Sequence, residues 1–146
     1  METIVNKKAG FNFEILDKLE AGIQLLGFEV KAIRAGKISL AGSYVKVYNN
    51  EVWLLGCSIA PFQEKNTPPN YEKDRPRRLL LHKEQIKMLI GKSRDKGLTI
   101  IPFRVYNKNN NIKVEVAITK GREGKDKREV IKKREVEREI RRSIKR

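Results

Sequence analysis

The first segment with a regular apolar pattern is FNFEILDKLEAGIQLL (11–26), where Phe11, Phe13 and Ile15 alternate with polar neighbours. Alternation with aromatic and β-branched residues predicts an extended strand, with Gly22 as a bulge or bend inside it. In FEVKAIRA (28–35) the period changes. Val30 and Ile33 stand three apart beside Lys31 and Arg34, which predicts a short helix stopped by Gly36. Strand-like runs over 43–48 and 52–59 flank a hairpin turn at Asn49-Asn50-Glu51. Residues 60–76 hold four of the five prolines and predict a surface loop. RRLLL (77–81) is strand-like. Residues 82–97 are helical, with Ile86, Leu89 and Ile90 on one face, Lys83 and Lys87 on another, and Gly97 as the stop. Residues 98–106 and 111–119 form a hairpin. In its second strand Ile112, Val114, Val116 and Ile118 point one way, and Lys113, Glu115 and Ala117 the other.

From Lys120 the chain is almost wholly charged, yet Val130, Val136, Ile140 and Ile144 fall in one sector of a helical wheel. Isolated helices of this length are marginal in water. The expected organisation is therefore a body over 1–119 and a basic tail over 120–146, disordered when free and helical once it finds a surface. About six strands in hairpins, with two or three short helices, predict a mainly β body. Closure removes exposed sheet edges, so the expected form is an OB-like closed antiparallel β-barrel.

Charge narrows the partner. The 146 residues carry a formal net charge of +15, with +8 on residues 1–119 and +7 on the 27 residues of the tail. Such a balance favours a polyanion: RNA, DNA or an anionic membrane surface. No apolar run approaches the ~18–20 residues needed to span a bilayer. METIVNKKAG has no apolar signal core, so a cytoplasmic protein is expected. A single cysteine, Cys57, and a single histidine, His82, leave no Cys/His zinc site, and no cofactor is expected. Phosphate-loop, dinucleotide and hydrolase motifs are absent from the sequence. His82 reads as a helix N-terminal residue and Cys57 as a small buried hydrophobe, so no enzyme is expected.

The basic clusters are Asn6-Lys7-Lys8, the helical face of Lys31, Arg34 and Lys37, the trio Arg75, Arg77 and Arg78, and Lys113. Lys and Arg neutralise phosphates and release counterions. Aromatic residues make up 7% of the chain, which favours recognition of a folded RNA by shape and backbone over a stacking platform.

EAGIQLLGFEVKAIRAGK (20–37), EVWLLGCSIAPF (51–62), RPRRLLLHKEQI (75–86), GLTIIPFRVY (97–106) and KVEVAITKG with the later DKR (113–128) stand in one order along the chain. Together they resemble the small protein B family, the transfer-messenger-RNA-binding proteins of bacterial ribosome rescue. The resemblance implies an OB-like barrel that binds the tRNA-like domain of transfer-messenger RNA. It implies delivery with elongation factor Tu to a stalled ribosome, and a tail that enters the mRNA channel near the decoding centre, among small-subunit rRNA. It implies RNA contacts at Asn6, Lys7, Glu20, Leu80, His82 and Lys113, and ribosome contacts in the tail at Asp126, Lys127 and Arg128. Lys125 stands where the family commonly has an aromatic or His, and Gly10-Phe11-Asn12-Phe13 replaces an Arg-His-Asp/Glu-Tyr pattern. Glu20 would accept from a base amino group or a 2′-hydroxyl, or orient a basic neighbour. Leu80 reads either as core or as an apolar contact for a base. Ile140 and Ile144 would give the tail helix its apolar face. A monomer without a membrane role is expected, and the alternative is a small basic structural ribosomal protein.

Overall fold

The structure, a computed structural model, describes residues 1–121 and 128–144. Antiparallel strands dominate it. Ile4–Val5 (β1) leads into a short helix, Lys7–Asn12 (α1), and then the long strand Phe13–Ile23 (β2). Gly27–Arg34 (α2) ends at Gly36, whose φ of 78° is the left-handed conformation that favours glycine. Ile38–Ser39 (β3) pairs with Ser58–Ile59 (β6). Between them lies the hairpin of Tyr44–Tyr48 (β4) and Glu51–Leu55 (β5). Asn49 and Asn50 at its turn have φ of 52° and 59°, the paired left-handed conformation that suits a two-residue hairpin. Arg77–Leu80 (β7), Lys83–Ser93 (α3), Leu98–Lys108 (β8), Asn111–Gly121 (β9) and Arg128–Ile144 (α4) complete the chain.

Seven strands share one sheet, in the order β1-β8-β9-β2-β7-β5-β4. The closed OB-like barrel expected from the sequence is not found: β1 and β4 end the sheet, and among the described residues no ladder joins them. Instead α3 packs against both β4 and β8, and its Leu89, fully buried, enters the main core. β4 itself lies beside β8 without a hydrogen-bonded ladder. The inner face of the sheet supplies that core, where Ile112, Val114, Val116 and Ile118 of β9 meet Ile33, Val52, Leu54, Leu79 and Ile100. Burying these aliphatic side chains contributes about 1.5–3 kcal/mol each against leaving them exposed.

Three local expectations are corrected. Phe11 belongs to α1 and is 80% exposed, because α1 is held down elsewhere: Ala9 packs on Ile101 and Ala117 of the outer face. The bulge in β2 falls between Ile15 and Asp17, whereas Gly22 pairs regularly with both Leu80 and Lys113. The strand of the last hairpin does not stop at residue 119. β9 continues to Gly121 opposite Phe13, so the 119/120 boundary lies inside a paired strand.

Candidate nucleic-acid interface

The outer face of the sheet carries a row of side chains across four strands. Leu80 on β7 stands opposite Gly22 on β2, which stands opposite Lys113 on β9, which stands opposite Tyr106 on β8. Gly22 makes the row concave. A Cβ placed on it would lie 3.4 Å from the Cβ of Leu80, so the missing side chain opens a recess beside that leucine. The recess, about 410 Å³, is lined by Gly22, Leu80, Lys113 and Ile112 together with Val30 and Arg34 of α2. Leu80 is 50% exposed, which settles its position: it faces the recess and not the core. Period-two geometry explains why. Arg77 and Leu79 point inward and are buried, so Arg78 and Leu80 must point out.

Glu20 lies two residues before Gly22, on the same face. It accepts hydrogen bonds from Tyr106 Oη and, at 3.2 Å, from Lys108 Nζ. The Tyr106 bond first, and Lys108 next, hold its carboxyl below the usual value, while burial and the Glu20 bond push the Tyr106 phenol up to about 12. Glu20 is therefore a carboxylate that orients a tyrosine and a lysine on the same sheet face as the recess. One row further along, Arg104 and Lys18 both reach Glu115, at 2.5 Å and 3.7 Å, so cation and anion offset each other there. Lys113 and Arg34 line the recess itself.

The remaining candidates are spread out. Arg34 Nη2 donates to the carbonyl of Asn110 at 3.0 Å, which ties α2 to the β8–β9 turn, and Lys31 is exposed one turn earlier. Lys37 turns toward the 60–76 loop, where its Nζ reaches the Phe62 carbonyl at 3.4 Å and sits 5.6 Å over the Phe62 ring. His82 is the N-cap of α3, two residues after Leu80, with its N–H held by Gln85 Oε1 at 3.1 Å. Asn6 is buried. Its amide donates to the carbonyls of Pro102 (3.0 Å) and Leu40 (3.4 Å), so it anchors α1 and presents no free amide to solvent. Lys7 follows it, exposed, at the start of α1. Lys125, Asp126 and Lys127 lie outside the described residues. Arg128 opens α4 and Ile144 ends it. Ile140 is buried against the body, and residues 128–144 form a helix docked there.

Two of the three arginines before the LLL run serve the interior. Glu29 of α2, fully buried, accepts from Arg77 Nη2 at 2.6 Å, from Arg75, from Tyr71 Oη at 2.9 Å and from the Leu26 N–H at 2.8 Å. Burial alone would raise its pKa, but Arg75, the Leu26 N–H and Arg77 outweigh it and hold the carboxyl low. Arg75 and Arg77 are thus corrected from candidate phosphate ligands to a structural cluster, and Arg78 pairs with Glu51 at 3.4 Å. Sequence reasoning missed Tyr106, Lys108 and Gly22. Pairing the last hairpin about a two-residue turn at Asn109-Asn110 would have put Tyr106 opposite Lys113.

Cys57 is buried, and burial pushes its thiol up to about 11, far from a nucleophile's range. Among the described residues, no cluster of three His, Cys, Asp or Glu could hold a metal, and no helix is long and apolar enough to cross a membrane.

Curated relatives share nearly the whole chain. The SsrA-binding protein of Trichodesmium erythraeum is 46% identical over 140 residues, covering 96% of this chain and 90% of that one. That of Carboxydothermus hydrogenoformans is 44% identical over 146 residues, covering 99% and 97%. A chain from the solved structure "tmRNA-SmpB: a journey to the center of the bacterial ribosome" is similar with a TM-score of 0.69 and 38% identity, covering 86% of this chain and 87% of that one. A family model described as SmpB protein matches residues 3–146, body and tail alike, and with these likenesses it shows that the chain belongs to the SmpB protein family.

Proposed function

We propose that the chain is a non-enzymatic RNA-binding adaptor. It binds the tRNA-like domain of transfer-messenger RNA and brings it to stalled ribosomes for trans-translation, where the nascent chain is tagged. The names of its relatives and of its solved neighbour support this reading. The observation that carries it is the recess: an exposed leucine beside a glycine, lined by Lys113 and Arg34, with the Glu20–Tyr106–Lys108 group further along the same sheet face, on a chain of net charge +15. Leu80 offers an apolar surface to an unstacked base. Lys113, Arg34 and Lys31 meet phosphates. Glu20 orients Tyr106 and Lys108 and accepts from a 2′-hydroxyl or base amino group. His82 extends the contact at the α3 end, and Lys37 and Lys7 add phosphate contacts further out, with Asn6 acting only by positioning α1.

In the tail, Lys125, Lys127 and Arg128 meet small-subunit rRNA in the mRNA channel near the decoding centre. Asp126 accepts from nearby donors, and Ile140 and Ile144 supply an apolar face. Elongation factor Tu belongs to the delivery complex. The protein works as a monomer in the cytoplasm. Recovering the protein from its cell and sequencing the RNA bound to it tests the proposal. Strong enrichment of transfer-messenger RNA is expected, and a broad mixture without it would refute the adaptor.

A further inference from the structure

α4 lies on the outer face of the β4–β5 hairpin. Val136 and Ile140, four residues apart, bury against Trp53 and Leu55, with Tyr44 and Tyr48 at the margin, and Ile140 is fully buried. Lys46 Nζ meets Glu137 at 2.9 Å, and Arg141 Nε donates to Tyr48 Oη at 2.8 Å. Ile140, assigned above to the ribosome, is therefore already covered by the body. The contact also contains opposing terms. Glu139 shares a recess of about 250 Å³ with Glu135 and Asp74. Trp53 Nε1 is buried with no hydrogen-bond partner among the described residues, a cost that undocking removes. An apolar patch and polar contacts that include these two thus hold the helix, while like charges and the Trp53 donor oppose it.

We propose that the β4–β5 face stores the tail helix in the free protein, and that storage competes with entry into the ribosome, because both use the face containing Ile140. This rests on the ribosome role proposed above for the tail. The RNA recess lies beyond β7 in the strand order, so storage leaves it open. Binding transfer-messenger RNA and releasing the tail are then separate steps. α4 leaves only when rRNA offers its exposed cations, Arg138, Arg141 and Arg142, a better partner.

The full-length protein reports on this itself, because Trp53 is its single tryptophan. Storage predicts blue-shifted Trp53 emission and slow quenching by acrylamide. Ile140→Asp should shift the emission to the red and raise quenching severalfold. Lys46→Glu, which sets like charge against Glu137 and leaves the tail sequence intact, should do the same in smaller degree. In a tagging assay on stalled ribosomes, Ile140→Asp should lose activity, whereas Lys46→Glu should match or exceed the unsubstituted protein. Emission of exposed indole in the unsubstituted protein, or no shift in either variant, overturns storage even if Ile140→Asp loses tagging. A red shift with reduced tagging in Lys46→Glu overturns the competition. Red shifts with full tagging in Ile140→Asp support storage and refute the tail's ribosome role.

Discussion

α2 separates two groups of cations that look alike in the sequence and differ in what surrounds them. On one side Arg75 and Arg77 close on Glu29, and Arg77 is fully buried. On the other, Arg34 and Lys113 border an open recess beside Leu80. A buried carboxylate converts the first group into structure. In the second, the near carboxylate, Glu20, is exposed and occupied by Tyr106 and Lys108. Net charge therefore says how much cation a chain has, and the placement of a few acids says how much remains for a ligand.

Removing one member of the inner cluster should produce the largest effect. Arg77→Met leaves Glu29 buried with Arg75 as its remaining cation and should cost about 3–5 kcal/mol, read as a lower urea midpoint. Glu29→Gln added to it should recover part of that loss. If Arg77→Met melts normally and instead loses RNA, the division between the two groups fails.

Acid should act on the same cluster. The Glu29 pKa is lowered in the folded state, so its contribution is present above the ordinary carboxylate value and lost as pH falls through the lowered one. Melting temperature should drop over that window, and Glu29→Gln should flatten the drop. An equal drop in the variant would assign it to other carboxylates.

On the open side the expected effects move to binding. Leu80 is half exposed, so Leu80→Ala should cost less than about 1 kcal/mol of stability, yet weaken RNA binding by about 1–2 kcal/mol through lost apolar burial. Lys113→Ala should lower the slope of log affinity against log salt by about one unit, from roughly 3–5 in magnitude if about 4–6 phosphates are neutralised. A slope unchanged by Lys113→Ala would remove it from the phosphate contacts.

The smallest expected effect lies at α4. Burial first, then Asp74 and Glu72 from the 60–76 loop, raise the Glu139 pKa against the opposing Arg142. A group whose pKa is raised on docking binds more protons in the docked state, so docking should tighten as pH falls and weaken as pH rises through the raised value. Trp53 emission should be bluer at about pH 5 than at about pH 8, and Glu139→Gln should reduce the difference. Lys46–Glu137 and Tyr44, which also faces Glu139 and Glu135, border the same contact.

Local pattern alone determined much of this protein. Strand-like runs marked β4, β5, β7 and β8, alternation marked β9, Asn49-Asn50 marked the first hairpin turn, and Gly36 marked the end of α2, because alternation and left-handed backbone are properties of a few adjacent residues. Lys113 stood out as a strand cation and Leu80 as an RNA contact through family likeness, whereas Tyr106 and Gly22 joined them only through strand register. Three matters were beyond any local signal. Whether the sheet closes depended on how β4 meets β8, two strands that lie side by side without a ladder. Whether Arg77 is a ligand or a core residue depended on Glu29, 48 residues away. Whether the tail's apolar stripe waits for a partner depended on Trp53 and Leu55 sharing one face of a distant hairpin. Each is a contact between segments far apart in the chain. Its energy depends on which surfaces meet, and spacing along one segment carries no record of that.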